Sequence, residues 1–217
     1  MDLTAKTKGV KEEVFAKLQE PKNILQNWKS QELGQLDGSL YYKISNVMAK
    51  DHCEKWIKID KLILSDFGIY VINFIRKKGI IYGCDEDDCW INNHNGRVDE
   101  FPNPIYQNRR GINALKNLLI EYPHIHYHSM IAFLNKTELY IEAKTNTEIC
   151  HVKNLVGIIR KTIEFNIAPE EKNRIYKKIR KQTTKYKIER QKIIEALIHR
   201  NRKRMLREII KKSIKTE

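Results

Sequence analysis

Residues 56–75 read WIKIDKLILSDFGIYVINFI, and this stretch decides the fold. Its two halves, 56–64 and 68–75, are dense in Ile, Val and Leu, which is the composition of buried strands. The tetrapeptide at 65–68, Ser-Asp-Phe-Gly, separates them and has the composition of a turn. The stretch therefore predicts two consecutive strands joined by a short turn, with one carboxylate, Asp60, inside the first strand.

The segments on either side of this pair continue as short strands interrupted by helices. Strands are predicted over 40–48, over 80–83, from Trp90 onward, and over 127–134 and 138–142; helices are predicted over 8–20, from Pro104 to about 121, over 151–165 and from 169 to about 215. Strands that follow one another through turns favour a mixed or antiparallel sheet. The sequence therefore predicts an α/β protein.

Charge is distributed unevenly along the 217 residues. Residues 169–217 hold 18 Lys and Arg against 6 Asp and Glu, a net charge of +12, whereas residues 1–168 carry a net charge of +2. Since this excess is confined to one end, we expect two parts. These are an almost neutral domain at 1–168 and a basic helical tail at 169–217.

The chain shows no sign of export or of membrane insertion. Its first residues lack the apolar core of a secretory signal, and no stretch reaches the ~20 consecutive apolar residues of a membrane span. We therefore expect a soluble, cytoplasmic protein. The four cysteines, at 53, 84, 89 and 150, have no C-x-x-C spacing, so we expect free thiols rather than a disulfide framework or a zinc site.

Three short motifs occur in one order along the chain. An acidic residue, Glu12 or Glu13, lies in the first predicted helix. Asp60 follows in the first strand of the decisive stretch, and the second strand of that stretch leads to Lys78-Gly79. The segment 103–107, Asn-Pro-Ile-Tyr-Gln, then opens a helix, with the asparagine as its N-cap.

This order resembles the nuclease-related domain (NERD) of the PD-(D/E)xK nuclease superfamily over about residues 8–134. The resemblance implies a restriction-endonuclease-like fold, in which helices flank a mixed central sheet, here with the basic helix appended. In that superfamily two carboxylates on neighbouring strands hold a divalent metal, usually Mg²⁺, which activates water and neutralises the scissile phosphate. A Lys two residues after the second carboxylate stabilises the developing charge.

The resemblance assigns roles to particular positions of this chain. Asp60 matches the strand aspartate, and Glu12 matches the glutamate of the opening helix, with Glu13 as the alternative. Asp60 and Glu12 would therefore be the metal ligands. Gln107 matches the glutamine of the helix motif, and Asn73 occupies the place of the second carboxylate.

The second strand departs from the family pattern. Asn73 offers a neutral amide instead of a carboxylate, and Ile75 stands where the lysine is expected. Losing one preorganised donor alone costs about 10²–10³ in rate. We therefore predict a nucleic-acid-binding member of the family, with DNA as the favoured partner, that is weak or inactive as a nuclease. The alternative is an active Mg²⁺-dependent nuclease that recruits Lys61, Arg76 or Lys77 instead.

The basic tail is a second candidate site of function. An incomplete apolar stripe runs along it, interleaved with seven basic residues: Arg200, Arg202, Lys203, Arg204, Arg207, Lys211 and Lys212. We expect these side chains to contact phosphates, with an affinity that falls steeply with salt. Two non-enzymatic interpretations stay open. The stripe packs on the domain or on a second copy, which gives a homo-oligomer, or the helix lies on an anionic membrane surface.

Overall fold

The computed structural model describes residues 32–134 and 136–213, with side chains described as far as Asn201. Its elements are, in chain order, β1 (Tyr42–Lys50), β2 (Trp56–Ser65), β3 (Gly68–Ile75), β4 (Gly79–Cys84), β5 (Cys89–His94), β6 (Arg97–Pro102), α1 (Pro104–Leu118), β7 (Tyr127–Phe133), β8 (Thr137–Glu142), β9 (Thr147–His151), α2 (Val152–Lys161) and α3 (Pro169–Ser213). The predicted α/β class is confirmed. The predicted opening helix at 8–20, with Glu12 and Glu13, lies outside the described residues.

The described strands form two mixed sheets flanked by helices. The large sheet has the order β1-β2-β3-β7-β9, and the small sheet has the order β6-β5-β4-β8. Within the large sheet β1, β2 and β3 are antiparallel, whereas β3, β7 and β9 run parallel. The sequence predicted one central sheet and did not separate the second sheet from it.

The chain passes from the large sheet to the small one at Gly79. This residue has a φ of +95°, and a Cβ placed on it would lie 2.2 Å from the carbonyl oxygen of Asn93. An L side chain is strained at that φ and cannot fit in that space. The Lys-Gly pair that closes the family's strand motif therefore marks a bend that glycine makes possible.

The large sheet buries a different apolar cluster on each face. One cluster joins the sheet to α1 and α3, and it includes Ile59, Val71, Leu115 and Ile175. The other cluster joins it to α2 and includes the residues Ile63, Tyr70, Ile72, Leu155 and Ile159. Because both faces are covered, β3 reads as a nearly continuous apolar run, which is why the sequence identified it so clearly.

The long helix α3 begins at Pro169, where the sequence predicted a helix start. Its first half is anchored on the domain: Ile175 and Ile179 are buried in the α1-side cluster, and Thr183 is buried beside β1. Lys172 is also buried, and its Nζ lies 2.7 Å from Oδ1 of Asp66 in the turn between β2 and β3. Part of the predicted tail therefore contributes to the core of the domain.

Two strands escaped the sequence analysis. β6 has the sequence RVDEFP, which is poor in strand-forming residues, and it is held by pairing with β5. β9 has the sequence TEICH, pairs in parallel with β7 and directly precedes α2. The helix therefore begins at Val152, and it ends at Lys161 rather than near 165. Both strands depend on partners that their own residues do not identify.

Candidate functional site

Asp60 lies where β2 and β3 separate. The pairing of these strands runs from Ser65↔Gly68 to Lys61↔Ile72 and ends there. At the next position Oδ2 of Asp60 accepts a hydrogen bond from the backbone N–H of Phe74, at 3.3 Å. The Asp60 carboxylate thus takes the place of a backbone carbonyl as the acceptor for the N–H of Phe74. The carboxylate remains partly open to solvent.

The inward alternation of β2 shifts by one residue at this same point. Ile57 and Ile59 contact the α1-side cluster, and so do Leu62 and Leu64. Alternation in a regular strand would put those two pairs on opposite faces. The local distortion around Asp60 therefore lets both halves of the strand bury their apolar residues against the same helices.

Asn73 and Gln107 meet beside this carboxylate. The strand register, carried one pair beyond Lys61↔Ile72, sets Asp60 opposite Asn73. Nδ2 of Asn73 donates a hydrogen bond to Oε1 of Gln107 at 3.0 Å, so two neutral amides satisfy each other. The structure therefore brings together three of the four predicted site residues, and the fourth, Glu12, lies outside the described residues.

Asn103 holds the helix that presents Gln107. Its Oδ1 accepts a hydrogen bond from the N–H of Ile105 at 2.9 Å, which caps α1 as predicted. Its Nδ2 donates to the carbonyl oxygens of Cys84 and Asp87, at 3.1 and 2.7 Å, in the hairpin between β4 and β5. The Asn-Pro pair therefore ties the start of α1 to the small sheet and sets the position of the site glutamine.

A second asparagine fixes the same helix against the large sheet. Nδ2 of buried Asn108 lies within 3.1 Å of the carbonyl oxygens of Val71 and Met130 and of Oγ of Ser129. These partners belong to β3 and β7, the two central strands. These hydrogen bonds of a buried polar side chain fix the orientation of α1 on the large sheet, which apolar packing alone would leave variable.

Ile75 is used for packing. It contacts the cluster between the two sheets, where the largest buried side chain is Trp90, together with Ile81, Ile105 and Phe133. The position that would carry the family's lysine is therefore directed into an apolar environment. An ammonium group at this place would have to reach past these side chains to solvent, at a cost.

Of the three basic residues that the sequence offered as substitutes, two are engaged elsewhere. Nζ of Lys61 donates to Oγ of Ser45 on β1 at 2.9 Å. Lys77 forms an ion pair with Asp99 of β6. The side chain of Arg76 is exposed.

Lys58 is the cation that the sequence analysis missed. Its Nζ lies 3.7 Å from Oδ1 of Asp60. The two side chains are two residues apart on one strand, so strand alternation could have identified the pair.

The described residues around Asp60 include one of the two predicted Mg²⁺ ligands, because Glu12 lies outside them. Among them, no group of three His, Cys, Asp or Glu side chains is placed to hold a metal. Around Asp60 the donors are one carboxylate and the amides of Asn73 and Gln107, whereas Mg²⁺ favours carboxylate and phosphate oxygens. The ammonium of Lys58 beside that carboxylate further opposes a second positive charge.

The seven basic residues that the sequence singled out in the tail all lie on α3. The side chain of Arg200 is exposed. Arg202, Lys203, Arg204, Arg207, Lys211 and Lys212 follow on the same helix, and their side chains lie outside the described part of the chain. In the part of the chain that the structure describes, no helix is both long and apolar enough to cross a membrane.

The fold consists of two mixed sheets flanked by helices. The site joins a strand carboxylate to the Asn-Pro helix at the point where two strands separate. Together they define a nuclease-like α/β protein. The chain matches the model of the nuclease-related domain, NERD, over residues 19–134, and it belongs to that family. An uncharacterized protein of Bacillus anthracis is 28% identical over 87 residues, a match that covers 40% of this chain and 41% of that protein. No solved structure matches the chain.

Proposed function

We propose that this chain is a nucleic-acid-binding protein of the nuclease-related family whose catalytic site is too poor in negative charge to hold a metal and cut. The observation that carries the proposal is the Asn73–Gln107 hydrogen bond beside Asp60, at the position of the second carboxylate. A nuclease needs charge there to bind its metal, and an amide pair supplies none. DNA is the favoured nucleic acid.

The charge of α3 supports binding without cleavage. Residues 187–213 hold 10 Lys and Arg against 3 Glu, and Arg200 is exposed there. Phosphate contacts of this kind depend on charge and release of counterions, not on a catalytic centre. On α1, Arg109 lies two residues after Gln107, and its side chain is exposed, so a cation is also present on the helix that carries the site glutamine.

The cleavage half of the proposal is tested with plasmid and single-stranded DNA in Mg²⁺ or Mn²⁺. We expect no cutting by the wild-type protein and weak Mn²⁺ binding by calorimetry. The variant Asn73→Glu restores a carboxylate opposite Asp60 and should tighten Mn²⁺ binding, whereas Asn113→Glu, an exposed position on α1, should not. Metal-dependent cutting by the wild-type protein that Asp60→Ala abolishes would overturn the inactive interpretation.

The binding half is tested by a salt series with labelled DNA, using a truncation after Tyr186. Deleting all of 169–217 would be uninformative, because Lys172, Ile175 and Ile179 belong to the core. We expect the truncated protein to fold and to bind DNA more weakly. The slope of log K against log salt should fall by about 0.9 for each phosphate contact removed. An unchanged affinity and slope would remove the proposed role of the residues after Tyr186.

One observation favours a second candidate, an active nuclease with a relocated lysine. Lys58 lies beside Asp60 and could stabilise negative charge on a phosphate there. If cutting is found, Lys58→Met should abolish it. The matched variant Lys61→Met should leave it unchanged, because Lys61 is directed to Ser45 on β1. Equal effects of the two substitutions would exclude Lys58 from this role.

A further inference from the structure

The small sheet has one face on which no described helix or strand packs. The strand register puts Ile81, Trp90 and Asn92 on the inner face, where they are buried. The alternate positions therefore point outward. They include the apolar residues Tyr82, Ile91, Val98 and Tyr140, all of which are exposed. We call this outward surface the tyrosine face.

Aromatic and acidic side chains dominate the tyrosine face. Tyr82 and Tyr140 are cross-strand neighbours, and their rings stack with centroids 5.4 Å apart and an interplanar angle of 18°. Glu100, Glu138 and Glu142 occupy further outward positions, and none of the outward positions is Lys or Arg. A contiguous apolar patch with an acidic border suits a partner that is apolar and basic.

The distal part of α3 has this chemistry. The helix packs on β1 and β2, and the ring of its Tyr186 lies 5.0 Å from that of Trp56. Beyond it α3 continues to Ser213, about 40 Å at ~1.5 Å per residue. We call residues 187–213 the arm. Its side chains Ile193 and Leu197 are 60% and 51% exposed and lie four residues apart on one helix face.

α3 is one uninterrupted helix from Pro169 to Ser213 that packs on β1 and β2 of the large sheet, whereas the tyrosine face belongs to the small sheet. Pairing of two arms would bring basic helices together, because Lys and Arg outnumber Glu along 187–213. Like charges at such short distances oppose association. The acidic border of the tyrosine face presents the opposite charge.

We propose that the arm of one copy docks on the tyrosine face of a second copy, with Ile193 and Leu197 against the stacked tyrosines and the arm's cations beside the glutamates. The proposed contact stands independently of the proposed nucleic-acid binding.

The test is sedimentation of the full-length, nucleic-acid-free protein over a concentration series at low salt. We expect reversible association. Tyr82→Lys/Tyr140→Lys on the face and Ile193→Lys/Leu197→Lys on the arm should each weaken it by about tenfold or more. Ile120→Lys/Ile163→Lys is the matched control, because both residues are highly exposed apolar positions outside the two surfaces. Circular dichroism checks that each variant is folded.

Mixing the face variant with the arm variant sharpens the result, because one intact face then meets one intact arm. We expect association to return in part. A wild-type protein that stays monomeric throughout overturns the proposal. An effect of the arm variant alone would indicate that two arms pair. An effect of the face variant alone would indicate that residues 1–31 or a second face cover the tyrosines. Either result would also overturn the proposal.

A second measurement does not depend on the variants. Zero-length carboxyl-to-amine cross-linking of a mixture of isotopically light and heavy protein distinguishes links between molecules from links within one. We expect mixed-isotope links between Glu138 or Glu142 and the arm lysines Lys187 or Lys192. Their absence, when the protein associates, would contradict the proposed docking.

Discussion

Removing the side chain of Asn103 should destabilise the protein through three hydrogen bonds at once. The residue is 1% exposed, caps α1 and donates to two carbonyl oxygens of the β4–β5 hairpin. Loss of an N-cap costs about 1 kcal/mol. A buried carbonyl left without its donor costs about 1–3 kcal/mol. The carbonyl of Cys84 keeps a second donor, Nε1 of Trp90 at 2.8 Å. We therefore expect Asn103→Ala to cost about 2–3 kcal/mol.

The assay is urea unfolding followed by far-UV circular dichroism. Asn103→Ser should cost less than Asn103→Ala, because serine keeps the capping oxygen but cannot reach the hairpin. Asn113→Ala is the matched control, since Asn113 is exposed on the same helix, and it should change the free energy of unfolding by at most about 0.5 kcal/mol. If Asn103→Ala is no more harmful than this control, the proposed link between helix and hairpin is wrong.

Three further predictions address the core and its titration. Lys172→Met leaves the nearly buried carboxylate of Asp66 without its ion-pair partner and should cost about 3–5 kcal/mol by urea unfolding; adding Asp66→Asn should recover most of this, and no recovery would contradict the pairing. Gly79→Ala forces a Cβ against the Asn93 carbonyl at positive φ and should lower the free energy of unfolding by more than about 2 kcal/mol. A variant as stable as wild type would show that the bend does not require glycine. Burial raises the pKa of Tyr127 to about 12 from an ordinary 10.0. Because the pKa of Tyr127 is higher in the folded than in the unfolded protein, the stability that this phenol contributes is complete below pH 10. That stability, at most about 2–3 kcal/mol, is lost between pH 10 and 12. Tyr127→Phe should flatten the fall in stability over that range, and an unchanged pH–stability curve would rule out this origin.

The strands and helix nearest the site were predictable because their signals are local. β2, β3 and the start of α1 agree with the sequence analysis to within about a residue, since a dense apolar run, a turn and an Asn-Pro cap each act over a few neighbouring positions. The family membership followed from the order of those elements. β6 and β9 were missed, because their pairing partners, and not their own residues, make them strands.

The site itself was predictable only as a set of residues. Asp60, Asn73 and Gln107 could be singled out from the sequence, but their hydrogen bonds depend on how β2 separates from β3 and how Asn103 anchors α1. Side-chain direction at an irregular strand is set by packing on both faces, which no short sequence window contains.

The amino-acid sequence by itself determined that residue 73 is a neutral asparagine, that residue 75 is an apolar isoleucine, and that positive charge is concentrated after residue 168, because identity and charge need no coordinates. Tertiary structure decided that Ile75 packs between two sheets, that the first half of α3 belongs to the core, and that the acidic tyrosine face points away from the domain. The physical reason is that periodicity specifies which residues share a face, whereas only the packing of distant segments decides what that face meets.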